Sequence, residues 1–214
     1  MNQHSDAMKN LARIQGKTVE ELMATDDLGM PFQQMTTFLA IDVSGSMGVN
    51  GRLDEAKEGA KAFAVDLIDR GDRVGVVSFG SNAHLLAPAG TDREAVTRAV
   101  DAMKIGLGTN MTAGIKMAQE QLAGCDGVRE IVVVSDGEPN SRPDAYAAAD
   151  AAKADGIVIK TIGVGGANLD VLRYIASDAD QAKVVDVKQL GSSIKALAIR
   201  PEDTEGGDIF DLLS

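Results

Sequence analysis

Short apolar runs alternate with amphipathic stretches along most of this chain, from residue 36 onward. The runs are rich in valine, isoleucine and alanine, which is typical of strands buried on both faces of a sheet. They are Phe38–Ile41, Val74–Val77, Ile131–Val134, Ile157–Ile162 and Val184–Val187. Regular alternation of such strands with helices predicts a doubly wound α/β fold built on a parallel sheet.

The stretches between these runs carry apolar residues at three- and four-residue spacing, which marks one face of a helix. Leu53, Ala56 and Ala60 follow this spacing in the first helix, and Met111 and Ile115 follow it in the third. Several helix starts are also marked. The second helix starts with a capping box at Thr91 and Glu94, the fourth at Ser141 with Pro143, and the fifth at Asn168 or a neighbour. A sixth helix is expected over Gly191–Ile199.

The segment Ala83–Ala89 follows the second strand after only Gly80, Ser81 and Asn82. A connection this short cannot cross over to a parallel strand, so the segment must return as a hairpin. We therefore expect a doubly wound, mostly parallel six-stranded sheet with one short antiparallel edge strand and helices on both faces.

The two ends of the chain differ from this alternating part. We divide the 214 residues into an N-terminal extension (1–34), one α/β domain (35–199) and an acidic C-terminal tail (200–214). The apolar residues of the tail are Ile209, Phe210, Leu212 and Leu213. Such a segment is suited to docking on a second partner as a short helix. Folding back on its own domain and disorder are open alternatives.

Net charge, cysteine content and hydropathy limit the partners and the location expected for the protein. The formal net charge of −11 disfavours nucleic acid as a partner, because nucleic-acid affinity depends on Lys and Arg that displace counterions. Cys125 is the single cysteine, so an internal disulfide is excluded. Neither a signal-peptide pattern nor an apolar run long enough to span a bilayer occurs. We expect a soluble cytoplasmic protein without a membrane partner.

Three side-chain oxygens follow the first predicted strand at alternate positions, on Asp42, Ser44 and Ser46. One carboxylate and two hydroxyls on a tight turn suit a hard divalent cation such as Mg²⁺. Two later segments, 108–110 and 134–139, add Thr109 and Asp136 as further oxygen donors.

Together these residues resemble the metal-ion-dependent adhesion site of von Willebrand factor type A domains. The resemblance covers roughly residues 35–199, and all five positions of the family's site are filled. It implies that one metal, Mg²⁺ with Mn²⁺ or Ca²⁺ as alternatives, is held at the site and grips an Asp or Glu of a partner protein. The resemblance also implies that Ser44, Ser46 and Thr109 bind the metal directly, and Asp42 and Asp136 directly or through water.

The predicted topology explains how distant residues would meet. In an open doubly wound sheet, ligands bind beyond the carboxyl ends of the strands, where the winding reverses. For the strand order 3-2-1-4-5-6, that point lies between the strand ending at Asp42 and the strand preceding Asp136. Thr109 stands at the entry to the helix that feeds the same fourth strand, so we expect it over the same edge.

Each part of the motif also has a plain structural interpretation. The segment from Asp42 to Ser46 is compatible with a capped turn before the first helix. Thr109 is a candidate N-cap of the helix that begins near Met111, and Thr112 is a rival for its role if the register slips. Asp136 and the glycine after it match an ordinary turn. The order and strand context of all three segments favour the metal site.

Enzymatic alternatives rank below binding. The chain has two histidines, His4 and His84, and lacks both the G-x-S-x-G elbow and the phosphate-binding P-loop motif. The serious alternative is a metal-dependent phosphohydrolase that uses Asp42 and Asp136. Such an enzyme usually needs a second carboxylate two residues after the first, where this chain has Ser44, and a cation, for which Lys160 is a weak candidate. We therefore expect a non-catalytic protein.

The expected cellular role rests on family analogy alone. Intracellular relatives of this family often serve multiprotein assemblies, including partnerships with AAA+ ATPases. By that analogy we expect a subunit or adaptor of an intracellular assembly.

Overall fold

A computed structural model describes residues 34–198 of the chain. The N-terminal extension apart from Gln34, and the acidic tail with its apolar residues, lie outside the described residues. The domain boundaries near residues 34 and 199, and the docking of the tail, therefore stay predictions.

Six strands form one sheet in the described part of the chain. They are β1 (Met35–Asp42), β2 (Arg73–Phe79), β3 (Ala83–Ala87), β4 (Val128–Ser135), β5 (Val158–Val164) and β6 (Ala182–Val185). Their spatial order is β3-β2-β1-β4-β5-β6, and β3 alone among them runs antiparallel to its neighbour. The predicted strand order and the antiparallel edge hairpin are both confirmed.

Six α-helices cover the two faces of this sheet between residues 34 and 198. They are α1 (Arg52–Asp69), α2 (Arg93–Asp101), α3 (Met111–Leu122), α4 (Arg142–Ala154), α5 (Leu169–Ile175) and α6 (Val187–Ala196). Two short 3₁₀ segments, Gly45–Gly51 and Ala179–Gln181, complete the connections. None of these helices is both long enough and apolar enough to cross a membrane.

The central strand β1 divides the core into two apolar layers. Leu39 and Ile41 pack with α1, α2 and α6 on one face. Phe38 and Ala40 pack with α3, α4 and α5 on the other face. Because successive strand side chains point to opposite faces, an apolar run without alternation is what a strand covered on both sides requires. The predicted fold class is confirmed.

Two helix starts differ from the predictions. Asp92, not Thr91, caps α2: its side chain accepts a hydrogen bond from the N–H of Ala95 at 2.8 Å. The hydroxyl of Thr91 instead donates to the carbonyl oxygen of Pro88 at 2.6 Å, so the predicted capping box is wrong. The sixth helix begins at Val187 rather than Gly191, because β6 ends earlier than the apolar run indicated.

We predict that Gly59→Ala destabilises the domain. Alanine normally favours a helix over glycine by up to about 1 kcal/mol. Here a Cβ on Gly59 of α1 would lie 2.7 Å from the carbonyl oxygen of Gly191 in α6, so the two helices would have to separate. We expect a net loss of about 1–3 kcal/mol in the free energy of unfolding, measured by urea denaturation. Gly166→Ala, where no atom lies within 4 Å, is the control; a stabilised Gly59→Ala protein would contradict the close helix contact.

Candidate metal centre

Asp42 and Asp136 are brought together by the pairing of β1 with β4. Asp42 is the last residue of β1, Asp136 directly follows β4, and the two strands are parallel neighbours. The chain winds from β1 to β2 and β3 on one side and then returns to β4 on the other. The winding therefore reverses at this edge, which is where open α/β sheets bind ligands.

The loop after β1 holds Ser44 and Ser46 against the two carboxylates. The backbone N–H of Ser44 donates to Oδ1 of Asp42 at 2.7 Å, a turn that Asp side chains commonly stabilise. The hydroxyl oxygens of Ser44 and Ser46 are 3.1 Å apart, and Ser46 Oγ donates to Oδ1 of Asp136 at 2.7 Å. Four of the five predicted ligands thus form one connected set of oxygens.

Thr109 reaches the same edge through the loop between α2 and α3. Its backbone N–H donates to Oδ1 of Asn140 at 3.0 Å, and its carbonyl oxygen accepts from the N–H of Asn140 at 2.9 Å. A Cβ built on Gly137 would lie 4.0 Å from Thr109 Cγ2, so Thr109 lies beside the residue that follows Asp136. The structure brings all five residues to one edge of the sheet, and metal binding by them stays a prediction.

The alternative role considered for Thr109 is filled by its neighbour. Asn110 caps α3, because its side-chain oxygen accepts from the N–H of Ala113 at 3.1 Å. Thr112 lies inside α3, beyond the cap. Thr109 is therefore the threonine in the loop before α3, and Thr112 lies within that helix.

Three further residues of the site were missed by sequence reasoning. Ser135 Oγ donates to Oδ2 of Asp42 at 2.6 Å, and Asn140 ties the Thr109 loop to the loop after β4. Arg52 forms an ion pair with Oδ2 of Asp136. One feature of the sequence could have indicated Arg52. A basic residue at the first position of a helix interacts unfavourably with the helix dipole, so its presence there suggests a role outside the helix.

The electrostatics of the site come from two carboxylates removed from water. Asp42 is fully buried, and the side chain of Asp136 is as well. Burial raises the pKa of the Asp42 carboxyl, the hydrogen bonds from Ser135 and Ser44 offset part of that rise, and the charge of Asp136 adds to it. A cation at this edge would stabilise both carboxylates in their charged form.

The donor set fits a hard divalent cation. It consists of two carboxylates and three hydroxyls, all oxygen donors, and oxygen donors are what Mg²⁺, Mn²⁺ and Ca²⁺ prefer. Within residues 34–198, no three His, Cys, Asp or Glu side chains gather as a metal cluster. A cation at this edge would therefore rely partly on neutral hydroxyls, and the five side chains would offer it only two formal negative charges.

Comparison with known proteins places the domain in a described family. The sequence profile of the von Willebrand factor type A domain matches residues 38–198. The chain is 36% identical over 160 residues to a UPF0353 protein of Mycolicibacterium paratuberculosis, covering 66% of this chain and 48% of the relative. It is 30% identical to a UPF0353 protein of Mycolicibacterium vanbaalenii, covering 97% of this chain and 64% of the relative. The chain thus spans about half to two thirds of the length of these curated relatives.

Solved structures share the fold at low sequence identity. The von Willebrand factor domain of the type V pili tip protein Mfa5 from Porphyromonas gingivalis superposes with a TM-score of 0.73 at 16% identity, covering 82% of this chain and 98% of that one. The conserved hypothetical protein BatB from Bacteroides thetaiotaomicron gives a TM-score of 0.65 at 24% identity, covering 77% and 95%. At these identities the likeness establishes the fold alone.

We predict that Ser135→Ala destabilises the domain through Asp42. The substitution leaves Oδ2 of a fully buried carboxylate without its hydrogen-bond donor, which costs about 1–3 kcal/mol. Urea denaturation in metal-free buffer measures the loss. Ser192→Ala, which removes an exposed hydroxyl bonded to the carbonyl oxygen of Gln189, is the control; equal stability of the two variants would contradict the role of Ser135.

Proposed function

The chain belongs to the von Willebrand factor type A domain family, and we propose that it works as a Mg²⁺-dependent recognition module that binds an acidic side chain of a partner protein. The family is one of protein-interaction modules. The observation that carries the proposal is the connected set of oxygens on Asp42, Ser44, Ser46 and Asp136, with Thr109 beside it.

The number of ligands that Mg²⁺ needs connects metal binding with partner binding. Mg²⁺ requires an octahedral set of oxygens and normally keeps some water. Five side chains cannot complete that set, so at least one position is left for an outside ligand. The five side chains carry only two formal negative charges between them, so the bound ion keeps its polarising power and a carboxylate suits the open position.

Exposed apolar side chains near the site support a protein as the source of that carboxylate. Val49 lies in the loop that holds the serines, and Ile105 and Leu107 lie in the loop that holds Thr109. Their exposed fractions are 49%, 44% and 80%. Ile105 lies close to the first loop, since a Cβ built on Gly48 would be 3.4 Å from its side chain. Apolar groups exposed on two neighbouring loops are typical of protein contact surfaces.

We assign no catalytic role to Asp42. Both of its oxygens accept hydrogen bonds, from the N–H of Ser44 and from Ser135 Oγ, and its side chain is buried. A phosphohydrolase nucleophile must itself reach the phosphorus of the substrate, whereas a metal ligand can also act through a bound water. Lys160, considered as its cation, is engaged with Glu130 at 2.6 Å within the sheet. We therefore prefer binding to phosphohydrolysis.

Our proposal also covers the assembly in which the protein works. We place the protein as a subunit or adaptor of a cytoplasmic assembly, with an AAA+ ATPase system as the family-based partner class and the acidic tail as a second contact. The curated relatives are longer than the matched region. Partners of the whole protein therefore need their own test.

We expect Thr109→Ala to weaken Mg²⁺ and Mn²⁺ binding by about tenfold or more, a loss typical of metal sites that lose a supporting group. Calorimetric titration of the EDTA-stripped full chain measures this. Thr112→Ala is the matched control, because it removes the same hydroxyl three residues along, inside α3. Unfolding midpoints in EDTA should stay close to wild type for both variants. Equal metal affinity of both variants would contradict the ligand assignment.

Partner binding is tested by retention on the immobilised full chain. Partners that use the site should be held in Mg²⁺, released by EDTA, and lost with Ser44→Ala. For such a partner, Leu107→Ser should weaken binding by about tenfold without changing Mg²⁺ affinity, since burial of a leucine side chain contributes about 1.5–3 kcal/mol. Leu85→Ser, on the edge strand, is the control. Retention that is indifferent to EDTA would contradict the metal-mediated contact.

A further inference from the structure

Arg52 places a positive charge inside the candidate metal centre. It is the first residue of α1, and its guanidinium forms an ion pair with Oδ2 of Asp136. The same Nη1 lies 3.4 Å from the carbonyl oxygen of Ser46. The Arg52 side chain is 18% exposed, while that of Asp136 is fully buried. Arg52 is therefore a largely desolvated cation, unlike an ordinary surface arginine.

The loop after β5 provides the space for this guanidinium. Gly165 has φ of +65°, a conformation that favours glycine, and a Cβ there would lie 2.6 Å from Nη2 of Arg52. Among residues 34–198, the Nε atom of Arg52 is buried and has no hydrogen-bond partner, which costs free energy. Arg52 is thus unfavourable in two ways: its Nε atom lacks a partner, and its positive charge lies at the positive end of the α1 dipole. A role at the site itself accounts for both.

Both oxygens of Asp136 are engaged. Oδ1 accepts from Ser46 Oγ, and Oδ2 contacts Arg52. A divalent cation near Asp136 therefore shares that carboxylate with Arg52 and is repelled by the guanidinium. With Arg52 counted, the formal charge of Asp42, Asp136 and Arg52 is −1 instead of −2. Addition of a divalent ion then leaves the loaded site at +1 instead of neutral.

We propose that Arg52 sets the charge of the metal centre: it weakens binding of the divalent ion alone and leaves the loaded site positive, so that a carboxylate ligand binds more tightly. The inference rests on the proposed function and goes beyond it by assigning this role to a residue outside the ligand set. The two effects are linked, because a ligand that prefers the metal-loaded site must by the same factor tighten the metal.

The two effects predict opposite outcomes for one substitution. Arg52→Gln removes the charge and keeps a polar side chain. We expect it to bind Mn²⁺ at least about fivefold more tightly than wild type, because a nearby positive charge has been removed. We also expect acetate, used as the carboxylate probe, to tighten Mn²⁺ binding less in Arg52→Gln than in wild type. A merely structural role for Arg52 does not predict tighter Mn²⁺ binding together with a smaller effect of acetate.

The experiment is a Mn²⁺ titration of the EDTA-stripped full chain, by calorimetry and by water proton relaxation, with and without acetate. Sodium chloride at equal ionic strength replaces acetate in the reference titrations, because salt screens charges. Arg52→Lys keeps the charge without the planar fork, so its Mn²⁺ affinity should lie closer to wild type than to Arg52→Gln. Arg93→Gln, which removes an exposed arginine paired with Asp69 at 3.3 Å, is the matched control for the loss of one positive charge.

The outcomes separate this inference from the proposed function. Tighter Mn²⁺ binding by Arg52→Gln, with wild-type affinity in Arg93→Gln, supports the role of Arg52. Unchanged or weaker binding by Arg52→Gln overturns it, as does Arg52→Lys binding as tightly as Arg52→Gln. If Thr109→Ala loses Mn²⁺ while Arg52→Gln matches wild type, the metal site stands and this inference fails. Absence of Mn²⁺ binding in every variant overturns both.

Discussion

The parallel pairing of β1 with β4 is the contact on which the candidate site depends. It brings the ends of two strands, and with them Asp42 and Asp136, to one point of the sheet edge. The same pairing makes β1 the central strand, with β2 on its other side. Apolar layers then cover both faces of β1. The stability of the core and the position of the carboxylates thus have one origin, since parallel strands aligned in a sheet end at the same edge.

Four polar groups at this edge stabilise the buried carboxylates of Asp42 and Asp136. Ser135 and the backbone of Ser44 solvate Asp42, and Ser46 and Arg52 engage Asp136. These groups replace the water that a carboxylate loses on burial. Hydroxyls can rotate to suit a new neighbour, whereas a desolvated guanidinium keeps its charge. The arrangement thus combines adaptable donors with one fixed charge.

Helix caps with one clear local candidate were predicted correctly, and hydrogen bonds between distant segments were missed. Asn168 and Ser141 cap their helices as the sequence indicated, because an N-cap depends on atoms within a few residues. At α2 the neighbours Thr91 and Asp92 are both good caps, and a local pattern could not choose between them. Asn140 escaped notice because its value lies in a bond to a backbone group 31 residues away.

The sequence by itself determined the fold class and the antiparallel edge hairpin, which follow from apolar periodicity and connection length. The oxygens expected at the sheet edge came from the resemblance to the von Willebrand factor type A family, together with the known winding of α/β sheets. The tertiary structure decided which hydroxyl faces Asp42, that Asn110 rather than Thr109 caps α3, and that Arg52 reaches Asp136. Those choices depend on side-chain directions and on space left by residues such as Gly165, and no spacing along the chain encodes them.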